Sequence, residues 1–146
     1  GGIKEWITVK QASWDNDEAA IKSVRMPVFV QEQNVPFERD FDSFDASAMH
    51  WLAVDDRQCP IGTARMLSDG HFGRMAVLKA FRQQGIGRLI IEAAVNYAAA
   101  SGLKRVHLHA QLSALVFYER LGFAAYGEVF SDAGMEHIAM AKTLLV

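Results

Sequence analysis

The stretch of residues 73–89 restricts the fold of this chain more than any other. It starts with a short apolar strand at residues 75–77, continues through a polar turn, and opens a long apolar-periodic helix at Gly85 and Gly87. The first N–H groups of a helix have no partner within it, and the helix dipole favours negative charge there. Glycines let a ligand approach the bare backbone. The sequence therefore predicts an anion-binding strand–turn–helix unit.

The two common phosphate loops do not fit this stretch. A Walker loop requires Lys-Ser/Thr after its second glycine, but Arg88 and Leu89 follow Gly87. A dinucleotide-binding fingerprint requires a third glycine at position 90, where the chain has Ile90. The pattern that remains is Arg-x-x-Gly-x-Gly, beginning at Arg82.

This pattern resembles the pyrophosphate loop of the GNAT superfamily of N-acetyltransferases, Arg/Gln-x-x-Gly-x-Gly/Ala. Residues 114–123, Ala-Leu-Val-Phe-Tyr-Glu-Arg-Leu-Gly-Phe, are similar to the second signature of that family, a helix that ends in Tyr-Glu-x-x-Gly-Phe. Residues 28–33, Val-Phe-Val-Gln-Glu-Gln, together with Arg25, Asp40, Asp42 and His50, resemble the ElaA-like branch of the family. The resemblance is strongest over residues 51–123, about half of the chain. It implies an acetyl-CoA-dependent N-acetyltransferase.

The order of predicted elements indicates an α/β fold in one domain, residues 1–146. Strands are predicted at 6–10, 49–54, 61–67, 71–77, 104–111, 123–130 and 136–143, and helices over 13–26, 28–33, 85–101 and about ten residues ending at 121. We expect Pro27 to break or kink the first helix near Met26. Short turns between the second, third and fourth strands predict an antiparallel meander. The GNAT resemblance implies the same order and a mixed, splayed sheet of about seven strands flanked by helices.

Composition limits the partners and the compartment. The formal net charge of -2 argues against nucleic-acid binding by bulk electrostatics. The single cysteine, Cys59, cannot form an internal disulfide, and no apolar run approaches the ~18 residues of a membrane span. We expect a cytoplasmic protein that binds neither membrane nor nucleic acid, with a homodimer as an open alternative.

The resemblance implies a binding site for acetyl-CoA. The strand Met75-Ala76-Val77 would pair with the pantetheine arm, and the Val77 N–H would stabilise the oxyanion of the reacting thioester. Gln111 stands where many family members have asparagine. The implied cofactor-binding residues are Met75, Ala76, Val77, Arg82, Gln83, Gln84, Gly85, Ile86, Gly87, Arg88, Gln111, Ala114 and Phe117.

The resemblance also makes Tyr118 the candidate general acid for the leaving thiolate. A base must remove a proton from the attacking alkylammonium, whose pKa is ~10.4. The candidates are Glu32, His71, His107 and His109, and strand alternation puts His107 and His109 on one face. We assign Glu32 as the second catalytic residue and leave the identity of the base open. The histidines do not have metal-ligand spacing, so we expect no metal.

The acidic segment of residues 32–45 suggests a class of acceptor. Its five carboxylates accompany a single arginine, Arg39, which predicts a negative potential that would attract a small cationic amine or a lysine-like chain. Two other function classes stay open. One is a module that binds or senses acyl-CoA without turnover, and the other is a partner-binding domain in which Trp6, Trp14 and Trp51 form an apolar surface.

Overall fold

The computed structural model describes residues 6–145, and residues 1–5 and 146 lie outside the described part. The seven strands are β1 (Thr8–Ala12), β2 (Met49–Val54), β3 (Pro60–Met66), β4 (Phe72–Val77), β5 (Arg105–Gln111), β6 (Ala124–Asp132) and β7 (Met135–Thr143). The α-helices are α1 (Trp14–Arg25), α2 (Phe37–Asp40), α3 (Ile86–Ala100) and α4 (Leu115–Arg120). A π-helix covers Met26–Glu32, and 3-10 turns cover Lys79–Phe81 and Leu112–Ala114.

The strands form two antiparallel sheets that separate from each other at one point. The first sheet has the order β1-β2-β3-β4, and the second has the order β5-β7-β6. Within residues 6–145, one isolated parallel bridge, between His71 and His107, joins them, with the His107 N–H donating to the Gly70 carbonyl at 3.0 Å. Beyond this bridge β4 and β5 are not paired, which leaves a gap between the sheets. The predicted α/β fold with a splayed sheet of seven strands is confirmed.

The first helix begins as its sequence predicts but continues past the proline. Ser13 caps α1 by accepting a hydrogen bond from the Asn16 N–H at 3.2 Å. Pro27 lies near the start of the π-helix, where a missing N–H costs little, and the Gln33 N–H donates to the Val28 carbonyl five residues earlier at 3.1 Å. The expected kink therefore takes the form of a wider helical turn.

Helix α3 packs across the gap and forms the main core with both sheets. Its buried residues are Ile86, Ile90, Ile91, Ala94 and Ala98. A Cβ at Gly62 of β3 would lie 3.0 Å from the Ile90 side chain, so a larger residue there would require the helix side chains to shift. No helix in residues 6–145 is both long and apolar enough to cross a membrane.

The three tryptophans do not share a surface. Trp51 is 2% exposed and packs edge-on against Tyr97, whereas Trp6 is 38% exposed and contacts Phe81. Trp14 is half-buried against the ring of Phe41. The expectation that the tryptophans form one apolar docking surface is wrong, because β2 is buried on both faces and Trp51 packs into the core.

Candidate active site

The turn before α3 forms a hollow in which backbone N–H groups are arranged around one space. Gln83 and Gly85 have left-handed φ angles of 62° and 81°, and α3 begins directly after them at Ile86. Left-handed residues that alternate with helical ones turn successive N–H groups toward a common anion. The hollow is lined by Val77, Phe81, Arg82, Gln83, Gly85, Ile86, Gly87, Arg88 and Phe117. Its geometry fits a pyrophosphate held by the backbone.

Gly87 keeps this hollow open on its apolar side. A Cβ at this position would lie 3.5 Å from Met75 Cε and 3.8 Å from Phe117 Cζ, which are ordinary contact distances. An alanine would therefore fit, and a larger branched side chain would have to enter the space beside Met75.

The β4 backbone exposes unpaired groups to the gap between the sheets. The Leu78 N–H donates to the Ile61 carbonyl at 2.9 Å. Because antiparallel residues alternate between bonded and non-bonded pairs, Val77 directs its N–H group away from β3. Arg74, with φ 50°, lies in the irregular part of the β3–β4 register just before Met75.

A cleft of about 450 Å³ lies beside the residues of β4 and β5 that precede and follow this gap, including Met75 and Gln111. Met75, Gln111, Ala114 and Tyr118 line it, so these four predicted site residues lie around one space. Val77 lines the hollow instead, Ala76 is 3% exposed in the core, and Gln84 lies outside both linings.

Tyr118 presents its ring to the cleft from α4. It is 8% exposed and packs edge-on against Phe117 and Phe123. Burial raises the pKa of Tyr118 to about 12, because the phenolate would lose its hydration. The hydroxyl therefore stays protonated at neutral pH and acts as a hydrogen-bond donor.

Three of the predicted candidate residues form a histidine cluster at the start of the gap. The His71 ring lies 4.9 Å from the ring centres of both His107 and His109, which confirms that these two share a face. Of these three histidines, His71 and His109 line the cleft, while His107 lies 3.7 Å from the Asp69 carboxylate. Burial, with the neighbouring His107 and His109, lowers the pKa of His71. Within residues 6–145, no group of three or more His, Cys, Asp or Glu side chains is arranged to hold a metal ion.

Glu32 lies away from the cleft lining and pairs with the phosphate loop. Its carboxylate accepts two hydrogen bonds from Arg82, at 2.8 and 2.9 Å. The hydrogen bond from Arg82 holds the pKa of Glu32 below its ordinary value. A carboxylate held ionised in this way is a poorer base than a free one.

His137 is a cleft residue that the sequence analysis did not select as a base. It lies on β7 directly opposite Gln111 of β5 and is 8% exposed. Its Nδ1 lies 2.9 Å from the Met135 carbonyl oxygen, which can only accept, so Nδ1 carries the proton. The neutral ring then has its lone pair on Nε2. The local sequence gives no sign of this role, because the β5–β7 pairing brings His137 to the site.

The acidic segment is held by arginines that lie elsewhere in the chain. Arg25, which is 1% exposed, donates to Asp45 Oδ1 at 2.8 Å and to the Asp40 carbonyl. Arg65 donates to Asp45 Oδ1 at 2.8 Å and to Asp42 Oδ1 at 2.7 Å.

Arg74 completes this network at the edge of the cleft. It donates to the Asp40 carbonyl and to Asp42 Oδ2, both at 3.2 Å. The expectation that these carboxylates accompany only Arg39 is wrong. The pairing could not be predicted from the sequence because the arginines lie far from the aspartates in the chain. The three arginines largely compensate the charges of Asp40, Asp42 and Asp45.

Both sequence and fold match known proteins. The family described as "Acetyltransferase (GNAT) domain" matches residues 18–144. The Bacillus subtilis (strain 168) protein YjcF, named an uncharacterized N-acetyltransferase, is 38% identical over 123 residues, covering 82% of this chain and 87% of that protein.

Two crystal structures at 28% sequence identity share the fold. Escherichia coli ElaA and an acyl-CoA N-acyltransferase from Pseudomonas aeruginosa each have a TM-score of 0.82, covering 93% of this chain and 99% of theirs.

Proposed function

Because this chain belongs to the GNAT family of acetyltransferases, we propose that it transfers an acetyl group from acetyl-CoA to a primary amine, which attacks directly within a ternary complex. Family membership makes the chain an acetyltransferase enzyme that uses acyl-CoA. The observation that supports the finer proposal is the unpaired edge of β4, which has Val77 at the phosphate hollow and Met75 at the cleft that contains Tyr118.

The residues around this gap fit acetyl-CoA. The N–H groups of the loop before α3 would bind the pyrophosphate, and the Val77 N–H, which faces the gap next to the hollow, would bind the pantetheine arm. When bound, acetyl-CoA supplies an activated acetyl thioester.

We assign the oxyanion-stabilising N–H to Met75 in place of Val77. Met75 lines the cleft together with Tyr118, whereas Val77 lines the hollow at the other end of the gap. The Met75 N–H is therefore the donor closer to the acceptor. A preorganised backbone donor for developing charge contributes about 3 kcal/mol to lowering the barrier.

Tyr118 would stabilise the leaving sulfur by a hydrogen bond. Its pKa of about 12 lies above that of a thiol, ~8.5, so full transfer of the phenolic proton to the thiolate is unfavourable. A hydrogen bond from the neutral hydroxyl still favours negative charge on the sulfur as the C–S bond breaks. In this proposal Tyr118 therefore acts as a hydrogen-bond donor to the sulfur and does not transfer its proton as a general acid.

Direct attack is supported by the position of the single cysteine. Cys59 is exposed at the β2–β3 turn, where its N–H donates to the Asp55 side chain at 2.9 Å, and it does not line the cleft. The described cleft therefore has no thiol that would carry the acetyl group in a two-step mechanism.

Two measurements test the proposal. Calorimetry should show binding of acetyl-CoA, and CoA release should follow when a panel of amino acids, polyamines and lysine peptides is added. Binding without turnover on any amine would favour the alternative, a non-catalytic acyl-CoA-binding or sensing module. Absence of binding would contradict both functions.

A further inference from the structure

We propose that His137 is the base that accepts the proton of the attacking amine, an inference that rests on the proposed function. Its position carries the argument first. His137 and Gln111 are directly opposed on neighbouring antiparallel strands, so their side chains lie on the same face of the sheet, about 5 Å apart at Cβ. That face borders the cleft, which Met75 and Tyr118 also line.

The hydrogen bond of His137 fixes the tautomer that a base needs. Nδ1–H donates to the Met135 carbonyl at 2.9 Å, so the unprotonated nitrogen is Nε2. The Phe130 ring stacks on the imidazole, with ring centres 5.8 Å apart, and limits rotation of the side chain. An oriented imidazole with its lone pair on the outer nitrogen is a standard acceptor for a substrate proton.

The other candidate bases are placed less well. His71 precedes Met75 by four residues, about 13 Å of extended strand, and Glu32 is paired with Arg82 outside the cleft. His109 lies on the same sheet face as His137 but is exposed, two residues further from the α4 end of β5.

The proton balance of the step is complete with groups that the site supplies. The acceptor ammonium first passes one proton to Nε2 of His137. The neutral amine nitrogen then forms the C–N bond, the C–S bond breaks, and the sulfur leaves as a thiolate that the Tyr118 hydroxyl stabilises. The thiolate takes up the second proton from the new amide nitrogen, which gives free CoA as a thiol. The imidazolium gives its proton to water, which restores the neutral ring for the next turnover.

The pH dependence of the rate is the most direct signature. The charged and titratable groups that share the cleft with His137 are Arg39, Asp40, His71, Arg74, His109, Tyr118 and Asp132. Because burial raises the pKa of Tyr118 to about 12, a limb of the kcat/KM profile near neutral pH does not come from Tyr118, and a limb that disappears when one histidine is replaced comes from that histidine. Separate replacement of His137 and His109 assigns that limb.

His137→Asn is the variant of choice, because an asparagine amide nitrogen takes the place of Nδ1 and retains a donor for Met135 while Nε2 is lost. With the amine turned over fastest in the panel, we expect kcat/KM to fall by about 10²-fold or more. The imidazole limb should disappear, and the dissociation constant of acetyl-CoA should stay within about twofold. His109→Asn is the matched control and should retain the limb.

A readout without turnover tests the tautomer. In protein labelled with ¹⁵N-histidine, NMR should show that the neutral form of the His137 ring carries its proton on Nδ1 and is free at Nε2, with the signal assigned by its absence in His137→Asn. Protonation at Nε2 would contradict the proposal. So would a His137→Asn variant that keeps the parent's rate and pH limb.

Other outcomes separate the two proposals. A parent protein that binds no acetyl-CoA or acetylates no amine would overturn the proposed function itself. If His137→Asn does not fold, two experiments replace it. The first is the pH profile of the parent with a weakly basic amine, and the second is the rate of His137→Gln with that amine and with a strongly basic one. An amine that is already neutral needs less help from a base, so its rate should fall less in His137→Gln; an equal loss would contradict the proposal.

Discussion

Arg82 binds the carboxylate of Glu32 with both terminal nitrogens, at 2.9 Å from Nη1 and 2.8 Å from Nη2. The remaining guanidinium nitrogen, Nε, donates to the Val77 carbonyl at 3.0 Å. Arg82 therefore ties the end of the π-helix and the end of β4 to the first residue of the phosphate loop. In this arrangement Glu32 supports cofactor binding more directly than it supports proton transfer.

Glu32→Gln should consequently have little effect on turnover. Loss of a general base lowers the rate by about 10²-fold or more. For Glu32→Gln we expect kcat at saturating substrate to stay within about threefold of the parent value. Arg82→Gln should weaken acetyl-CoA binding more than Glu32→Gln does, because it also removes the bond to Val77. Steady-state kinetics and calorimetry on both variants check this, and a kcat loss of about 100-fold in Glu32→Gln would return the base to Glu32.

Tyr118→Phe should lower kcat by about 10-fold to 100-fold and leave the affinity for acetyl-CoA nearly unchanged. The ring and its contacts with Phe117 and Phe123 are retained, and only the donor to the sulfur is lost. Because the pKa of Tyr118 is about 12, the parent should show no alkaline loss of rate from this residue below about pH 10. Equal kcat values for parent and variant would reduce Tyr118 to a packing residue.

Gly87→Val and Gly87→Ala form a matched pair for the phosphate loop. The alanine Cβ would make ordinary contacts with Met75 and Phe117 and adds helix propensity, so folding and acetyl-CoA binding should be retained. Valine adds branches beside Met75, where the cofactor would pass, and we expect its acetyl-CoA affinity to fall about 10-fold or more with a similar thermal midpoint. Undiminished affinity in Gly87→Val would contradict the proposed position of the cofactor.

Local signals predicted most of the fold. The apolar runs gave the bounds of β2 as observed, and the glycines at 85 and 102 bracket α3. The general base, by contrast, was left open by the sequence. His137 approaches Gln111 only through the pairing of β5 with β7, and β7 enters the sheet between β5 and β6. No periodicity within either strand specifies that order.

Long-range ion pairing was equally invisible in the sequence. Arg25, Arg65 and Arg74 come from a helix and two strands, and each reaches the segment of residues 40–45 across 15 to 34 positions. A count of charges within the segment therefore overestimated its negative potential. The single-domain organisation over residues 1–146 and the acceptor class stay predictions.

Asp45→Asn tests whether the acidic segment serves structure more than substrate attraction. Breaking a buried ion pair on one side costs about 3 kcal/mol, and Asp45 is 1% exposed between Arg25 and Arg65. We expect a loss of about that size in the free energy of unfolding by urea, whereas Glu38→Gln, at an exposed position, should change it by less than about 0.5 kcal/mol. The KM of the acceptor should change by less than about twofold between low and physiological salt. A strong rise of KM with salt, without the loss in stability, would restore the cationic-acceptor hypothesis.

Acidification from pH 7.5 to 5.5 should destabilise the protein through His50 and His71. Burial lowers the pKa of both in the folded state, so the unfolded chain binds protons first as the pH falls below about 6.5, and stability is lost until the folded pKa is reached. Each histidine contributes at most about 1.4 kcal/mol per pH unit. The lowered pKa values of Asp42 and Asp45 reduce the stability of the fold only when the pH falls below about 4. The raised pKa of Asp40 has the opposite effect, because stability is lost as the pH rises through that pKa. The free energy of unfolding, measured with urea at three pH values, should depend less steeply on pH in His71→Asn than in the parent, with the exposed His109→Asn as the comparison. An unchanged pH dependence in His71→Asn would contradict the role of His71.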